Sequence, residues 1–243
     1  MKVAISYPPI INDIGQKAMV SQNRNVQYFS VPTYLLPVIH AQAATLLKKK
    51  VKVLWDDGNA QLKNFEKWFD DLVLEKPDVI VLESTTPVMK FIWKTINQLK
   101  SKLKNSIIIL TGYHSMRKPN ESFENSNVDI VILSNHVDFV LDELIDELIK
   151  KENPNNIEIL NTNGIIYKNK NAEISKNFTF KKIEKISNSE LIDRDLVKWK
   201  NYAYENGNFL QTPGTYATSV IRDCTFGKCT FCRYNGPELS FSI

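Results

Sequence analysis

Cys224, Cys229 and Cys232 fall within nine residues, in the run Cys-Thr-Phe-Gly-Lys-Cys-Thr-Phe-Cys, a C-x4-C-x2-C spacing. Three thiolates this close can converge on one face of an iron–sulfur cubane. Three ligands for four irons leave one iron open to bind and activate a small molecule, as catalytic metal sites keep a vacant position. Zinc is an alternative, completed by Asp223 or a distant histidine. Three inert buried cysteines are another. A ferredoxin-type electron-transfer cluster wants a fourth cysteine, and the chain has three. An odd, tightly grouped set suits metal binding in a reducing compartment better than a disulfide framework, which places the protein in the cytoplasm.

The elements that must present this loop follow from hydrophobic periodicity. Strands are expected at Lys2–Ser6, Val51–Trp55, Asp78–Leu82, Ser106–Leu110 and Val128–Leu133. Helices are expected between them at Tyr34–Lys50, Leu62–Leu74 and Val88–Leu103, with a polar loop running up to Val31. The helix after the fifth strand has the cleanest pattern: Val137, Val140, Leu141, Leu144, Ile145 and Leu148 share one face. Asp146–Lys150 and Glu147–Lys151 are spaced as i,i+4 ion pairs on the other side. Lys48-Lys49-Lys50 reads as a solvated helix end.

Strand and helix alternate five times, so the fold class is α/β, a doubly wound, Rossmann-like parallel five-stranded sheet over residues 1–152. Beyond Pro154 the character changes. Ile157–Leu160, Ile165–Tyr167 and Glu173–Ile174 read as short strands of a small antiparallel patch in a connecting segment, 153–214, which also has room for one short helix. Tyr216–Ile221 reads as a new strand feeding the cysteines, opening a third unit over 215–243.

Composition agrees: 43% hydrophobic and 24% charged residues suit a folded chain. A net charge of +4 over 243 residues is no nucleic-acid footprint. No run approaches the roughly 18 apolar residues of a membrane span. Pro8-Pro9 interrupts the N-terminus too early for a secretory signal.

Ligands of open parallel sheets settle outside the carboxyl ends of the strands. The loops there contain Pro8-Pro9, Asp56-Asp57, Ser84-Thr85-Thr86-Pro87, Gly112-Tyr113-His114 and Ser134-Asn135-His136. A dinucleotide fingerprint or a Walker loop needs glycines after the first strand, and none precedes Gly15. A receiver domain needs acids there, and that loop has none. An Asp-x-His-x-x-Gly motif supplying cobalamin with an axial histidine fits neither His114 nor His136. On residue type, His114 is a solvated loop histidine, His40 is a packing residue of an apolar helix, and Ser84, Thr85 and Thr86 cap the helix that follows.

Taken with these elements, the chain resembles radical SAM proteins with an N-terminal cobalamin-binding domain. Met1–Pro9 resembles that family's first strand and Pro-Pro turn, and Pro37–Leu47 with Val51–Asp56 its first helix and second strand. Leu110–Ser115 resembles its glycine-and-histidine loop, Asn163–Tyr167 with Leu191–Asp193 its connecting segment, and Thr218–Cys232 the first strand and cluster loop of its barrel. The sequence departs by one extra residue, Gly227 or Lys228, in a first gap that is usually C-x3-C. It also carries Ser134-Asn135-His136-Val137 where relatives often have Gly-Glu-Gly-Glu.

The resemblance implies a cobalamin-binding type of sheet domain, a small β-containing linker, and the start of a radical SAM barrel. It implies that Cys224, Cys229 and Cys232 hold a [4Fe–4S] cluster whose open iron binds S-adenosylmethionine and cleaves it reductively to a radical, serving methyl transfer or other radical chemistry. Phe231 would lie against the adenine. Pro8, Ser84, Thr85, Thr86, Gly112, Tyr113 and His114 would line the cobalamin edge. A flavodoxin or ferredoxin would supply the electron. Eleven residues follow Cys232, whereas a barrel related to the (β/α)8 design takes roughly 200 or more, so the sequence is expected to be a fragment with little turnover alone. The alternative is a corrin- or partner-binding module whose cysteine tail is vestigial or binds zinc.

Overall fold

A computed structural model describes residues 1–10, 25–28, 31–34, 36–151, 157–178 and 191–203. Among them are nine strands, seven α-helices and a 3-10 turn. Cys224, Cys229, Cys232, Phe231, the strand expected over Tyr216–Ile221 and the whole unit 215–243 lie outside the described residues.

The five expected parallel strands are present: β1 (Lys2–Tyr7), β4 (Lys52–Asp57), β5 (Val79–Glu83), β6 (Ile107–Thr111) and β7 (Ile130–Ile132). They lie in the order β4-β1-β5-β6-β7. In-register pairs such as Ile5 with Trp55 and Val81 with Ile109 set their stagger.

The sheet does not stop at five strands. Β8 (Ile165–Lys168) pairs antiparallel with β7, and β9 (Ile174–Asn177) pairs antiparallel with β8, giving seven strands in one sheet. The expected separate antiparallel patch is therefore an extension of the main sheet, and Ile157–Leu160 is not a strand. Ile165 and Tyr167 face one core and Ile166 the other, so β8 has the two-sided apolar character of an interior strand.

Side-chain parity divides the core in two. Val3, Ile5, Tyr7, Val79, Val81, Ile107 and Ile109 face α1 (Val38–Leu47) and α6 (Val137–Ile149). Ala4, Ile80, Leu82, Ile108 and Leu110 face α2 (Phe65–Glu75) and α3 (Met89–Lys102). This alternation is the period-2 projection of a strand covered by helices on both faces.

Two expectations near the N-terminus are corrected. The polar loop up to Val31 contains a hairpin, β2 (Asn25–Tyr28) with β3 (Val31–Tyr34). The first helix begins at Val38, not Tyr34, because the residue before a proline is biased away from helical backbone and Pro37 then takes the N-cap position. Its carbonyl accepts the first helical bond, from Ala41 N at 2.9 Å.

The charged face of α6 also differs. Lys50 bridges Asp142 and Asp146 at 2.8 and 2.7 Å, tying the end of α1 to α6, and Lys48 pairs with Asp193. The lysine run is exposed at the end of α1, as expected, and it also ties that end to neighbouring elements. Glu147 accepts from the backbone N–H of Asn161 and Thr162 and from the Thr162 hydroxyl, while Lys151 donates to the Ile159 carbonyl. These longer-range bonds take up the hydrogen-bonding groups of Asp146, Glu147 and Lys151, while the Lys151 charge still favours the ionised Glu147 carboxyl. No helix among the described residues is long and apolar enough to cross a membrane.

Candidate functional site

The strand order reverses between β1 and β5: from β1 the chain steps outward to β4, then back across to β5. The crevice at such a reversal lies beyond the carboxyl ends of the strands. Four loops meet around it, each fixed by local bonding.

After β1, the Pro8-Pro9 turn is clamped from β4. Gly58 N donates to the Tyr7 carbonyl at 2.9 Å, and Asn59 Nδ2 donates to the Pro8 carbonyl at 3.1 Å. A Cβ on Gly58 would lie 2.6 Å from Pro9 Cδ, so the close approach requires glycine. Pro8 is itself buried and acts through the shape of this turn.

Buried Asp57, the last residue of β4, accepts from Asn59 N and Ala60 N through Oδ1 and from the Tyr202 hydroxyl at 2.8 Å through Oδ2. Trp55 Nε1 donates to the same hydroxyl at 3.1 Å. Helix α7 (Lys200–Ala203), within the span expected to hold one short helix, is thereby pinned to the end of β4. Next door, Asp56 binds Lys63 at 2.6 Å, yet its burial keeps the carboxyl above its ordinary value.

After β5, Ser84 is fully buried. Its N–H donates to the Thr111 carbonyl at 3.0 Å and its hydroxyl to Met89 Sδ at 2.8 Å. Gly112 stands against it with φ +104°, the glycine region. Tyr113 and His114 do not remain in a loop but open a short helix, α4 (Tyr113–Arg117), followed by α5 (Pro119–Asn125). The Arg117 guanidinium lies 5.6 Å from the centre of the Tyr113 ring.

His114 is not the solvated histidine its residue type suggests. Nδ1 lies 3.1 Å from the Thr86 hydroxyl and Nε2 3.2 Å from Glu121 Oε2, with Trp93 edge-on at 6.2 Å. Carboxylates only accept, so Nε2 carries the proton, and in the neutral ring Nδ1 accepts from Thr86. The Lys118 ammonium, with His114 beside it, holds Glu121 below the usual carboxylate range. Thr86, which begins the turn Thr86–Val88, therefore braces His114, and Ser84 serves Met89; neither hydroxyl caps α3. Thr85 holds the N-cap position of the turn without a capping bond from its side chain.

A second constellation escaped the sequence reading. His40, in the first turn of α1, points at the sheet edge. Its Nε2 lies 2.9 Å from the Thr111 hydroxyl, its Nδ1 3.7 Å from Glu83 Oε2, and its ring meets Tyr7 edge-on at 5.8 Å. The available signal was parity. Tyr7, Glu83 and Thr111 each end a strand on the face that α1 covers, and α1 begins at the carboxyl edge. His136, buried at the start of α6, completes the rim, with its N–H donating to Ser134 Oγ at 3.0 Å.

The structure thus brings Ser84, Thr86, Gly112, Tyr113 and His114 together at one edge, with Pro8 beneath the neighbouring turn. No group of three or more metal-ligating side chains occurs among the described residues.

No protein-family model matches the sequence, and no curated protein matches it. Solved structures do. OxsB, a cobalamin-dependent S-adenosylmethionine radical enzyme solved with aqua-cobalamin and S-adenosylmethionine bound, matches with a TM-score of 0.55 and 19% identity, over 74% of this chain and 22% of OxsB. Its apo form matches with a TM-score of 0.58 and 17% identity, over 81% and 24%. TsrM from Kitasatospora setae, a radical S-adenosylmethionine methyltransferase, matches with a TM-score of 0.52 and 10% identity, over 72% and 30%. The chain therefore shares a fold with part of these enzymes and spans less than a third of their length.

Proposed function

We propose that this chain is the N-terminal part of a cobalamin-domain radical SAM enzyme. The observation that carries the proposal is a coincidence of two independent features. The sheet, with its ordered carboxyl-edge loops, has the fold of enzymes solved with cobalamin, and the same chain carries Cys224, Cys229 and Cys232 at cluster spacing. In this reading residues 1–152 hold the corrin, 153–214 connect, and 215–243 begin the cluster-binding unit, in a cytoplasmic protein reduced by a flavodoxin or ferredoxin.

The edge residues fit a corrin of a particular kind. Both ring nitrogens of His114 are engaged by Thr86 and Glu121, so it stands as a fixed wall and offers no axial nitrogen. Among the described residues the rim offers hydroxyls, peptide groups and the carboxylates of Glu83, Glu121, Asp56 and Asp57, and no cradle of basic residues. That donor set suits a broad ligand whose periphery carries neutral amides. When bound, the corrin would supply a methyl carrier and the cluster the electron that opens S-adenosylmethionine, whereas the chain contributes position and exclusion of water. Gly112 lets two loops close on one another, Pro8 fixes the turn beside them, and Ser84, Thr85 and Thr86 set the height of the wall. Phe231 would lie against the adenine.

Anaerobic reconstitution with iron and sulfide tests the cluster. A brown protein with about four of each per chain is expected. A colourless protein with background iron contradicts it.

A further inference from the structure

We propose that the groove between α3 and α5 is the docking surface for an acidic electron-donor protein of the flavodoxin class. The proposal rests on the corrin and cluster reading, which requires a donor, and it names where on this chain that donor sits.

The charges of α3 have one sign. From Ser84 through Lys104 the sequence has five lysines and no acid. Lys100 is satisfied by Asp129 at 2.6 Å. Lys102 lies in the last turn, where a cation complements the helix dipole. Neither account covers Lys90 and Lys94. Lys90 is the second residue of α3, at the positive end of the dipole, and no acid shares that first turn. Lys94 follows at the i,i+4 spacing, which is unfavourable for like charges. Both are exposed, and neither is paired with a described residue. Across the groove, Glu121 of α5 is taken by Lys118 and His114, and Glu124 does not line it. Folding gains nothing from this arrangement, whereas an approaching anionic surface would neutralise it.

The surface around the two lysines is shaped and held. The groove has a volume of about 590 Å³, with Lys90, Trp93, Lys94, Asn97, Gln98 and Asn125 in its lining. Trp93 is half-buried, and its Nε1 donates to Ser122 Oγ at 3.3 Å. Asn97 Nδ2 donates to the Asn125 carbonyl at 3.2 Å, and its Oδ1 accepts from Asn127 N at 2.8 Å. A fixed, partly exposed tryptophan beside unpaired cations has the composition of an interface anchor with a charged surround. The same indole meets the His114 ring edge-on at 6.2 Å, so the groove backs onto the wall of the corrin edge. A protein seated there stands beside the redox-active corrin of the proposed reaction. A nucleic acid would need a broader basic surface than two free lysines and a net charge of +4 supply.

The test measures binding of a purified flavodoxin to the corrin-free, cluster-free 243-residue chain through the change in flavin fluorescence. Wild type is expected to bind at low salt and to lose affinity as salt rises. Lys90→Glu with Lys94→Glu is expected to weaken binding at least about tenfold. Lys52→Glu with Lys150→Glu, the same change of charge at the amino edge of the sheet, is expected to weaken it less than about twofold. All four positions are exposed, and an unchanged melting profile verifies the fold of each variant. No binding by wild type, or equal losses in the two double variants, overturns the docking surface. So does a single-stranded RNA oligomer that binds through Lys90 and Lys94 where flavodoxin does not. The corrin reading is judged separately, by retention of hydroxocobalamin. Flavodoxin binding through the two lysines without corrin retention keeps the docking surface and removes the corrin, and the opposite pair of results removes the docking surface alone.

Discussion

Gly112 is packed directly against the backbone of Ser84. A Cβ at position 112 would fall far inside van der Waals contact distance of the Ser84 carbonyl oxygen and 2.9 Å from its nitrogen, and φ there is +104°. The close approach seats the loop after β6 on the loop after β5, where Ser84 N also donates to the Thr111 carbonyl. Gly112→Ala therefore meets both left-handed backbone strain and a clash with main chain that cannot swing away. A loss of about 3 kcal/mol is expected, or about 6–12 °C in Tm for a chain of this size. Calorimetry of the variant checks it; a Tm within 2 °C of wild type, roughly the smallest resolvable loss, would mean the loops are not seated as described.

Tyr202 joins the distal segment to the sheet through Asp57 and Trp55. Tyr202→Phe removes a donor to a buried carboxylate and an acceptor from a buried indole. The expected cost is about 1–3 kcal/mol, read as a lower urea midpoint with an unchanged slope. A changed slope would mean that residues 191–203 detach separately from the domain.

Glu147 gives a pH signature. Burial pushes its carboxyl up, but the N–H groups of Asn161 and Thr162 and the Thr162 hydroxyl prevail and hold it below its ordinary value. A lowered folded pKa stabilises the fold above the unfolded value, near 4.3, and that contribution fades as pH falls through the folded value. The stability advantage of wild type over Glu147→Gln should thus be constant at neutral pH and shrink in acid below about pH 4. Thermal melts across pH 3–7 measure it. An advantage that grows on acidification contradicts the assignment.

The cysteine loop makes a compositional prediction. Serine at 224, 229 and 232 together should bring iron per chain to background. Iron content indifferent to the triple substitution would remove the cluster from the account.

Much of this architecture was legible in the residues. The apolar face of α6 and the runs Val79–Leu82 and Ile107–Leu110 carry their periodicity locally, so the strands, the helices and the parallel arrangement of the first five strands could be read directly. What escaped depends on partners distant in sequence. Glu173–Ile174 announces only a very short strand of a small patch, and Ile174–Asn177 joins the main sheet because β8 offers it an edge. His114 looks solvated until Thr86 and Glu121 close on its two nitrogens from other elements. His40 looks like packing because its helix is apolar, and only the placement of α1 over the ends of β5 and β6 turns it toward Glu83 and Thr111. Pairings of this kind are set by topology, which a local pattern does not encode.

The central claim is that the carboxyl edge of this sheet holds a corrin. It is tested most directly by incubating the purified 243-residue chain with hydroxocobalamin, removing free ligand by gel filtration and reading the corrin bands of the protein fraction. The account predicts about one corrin retained per chain, by analogy with a single crevice at the strand-order reversal. A protein fraction without corrin absorbance contradicts it.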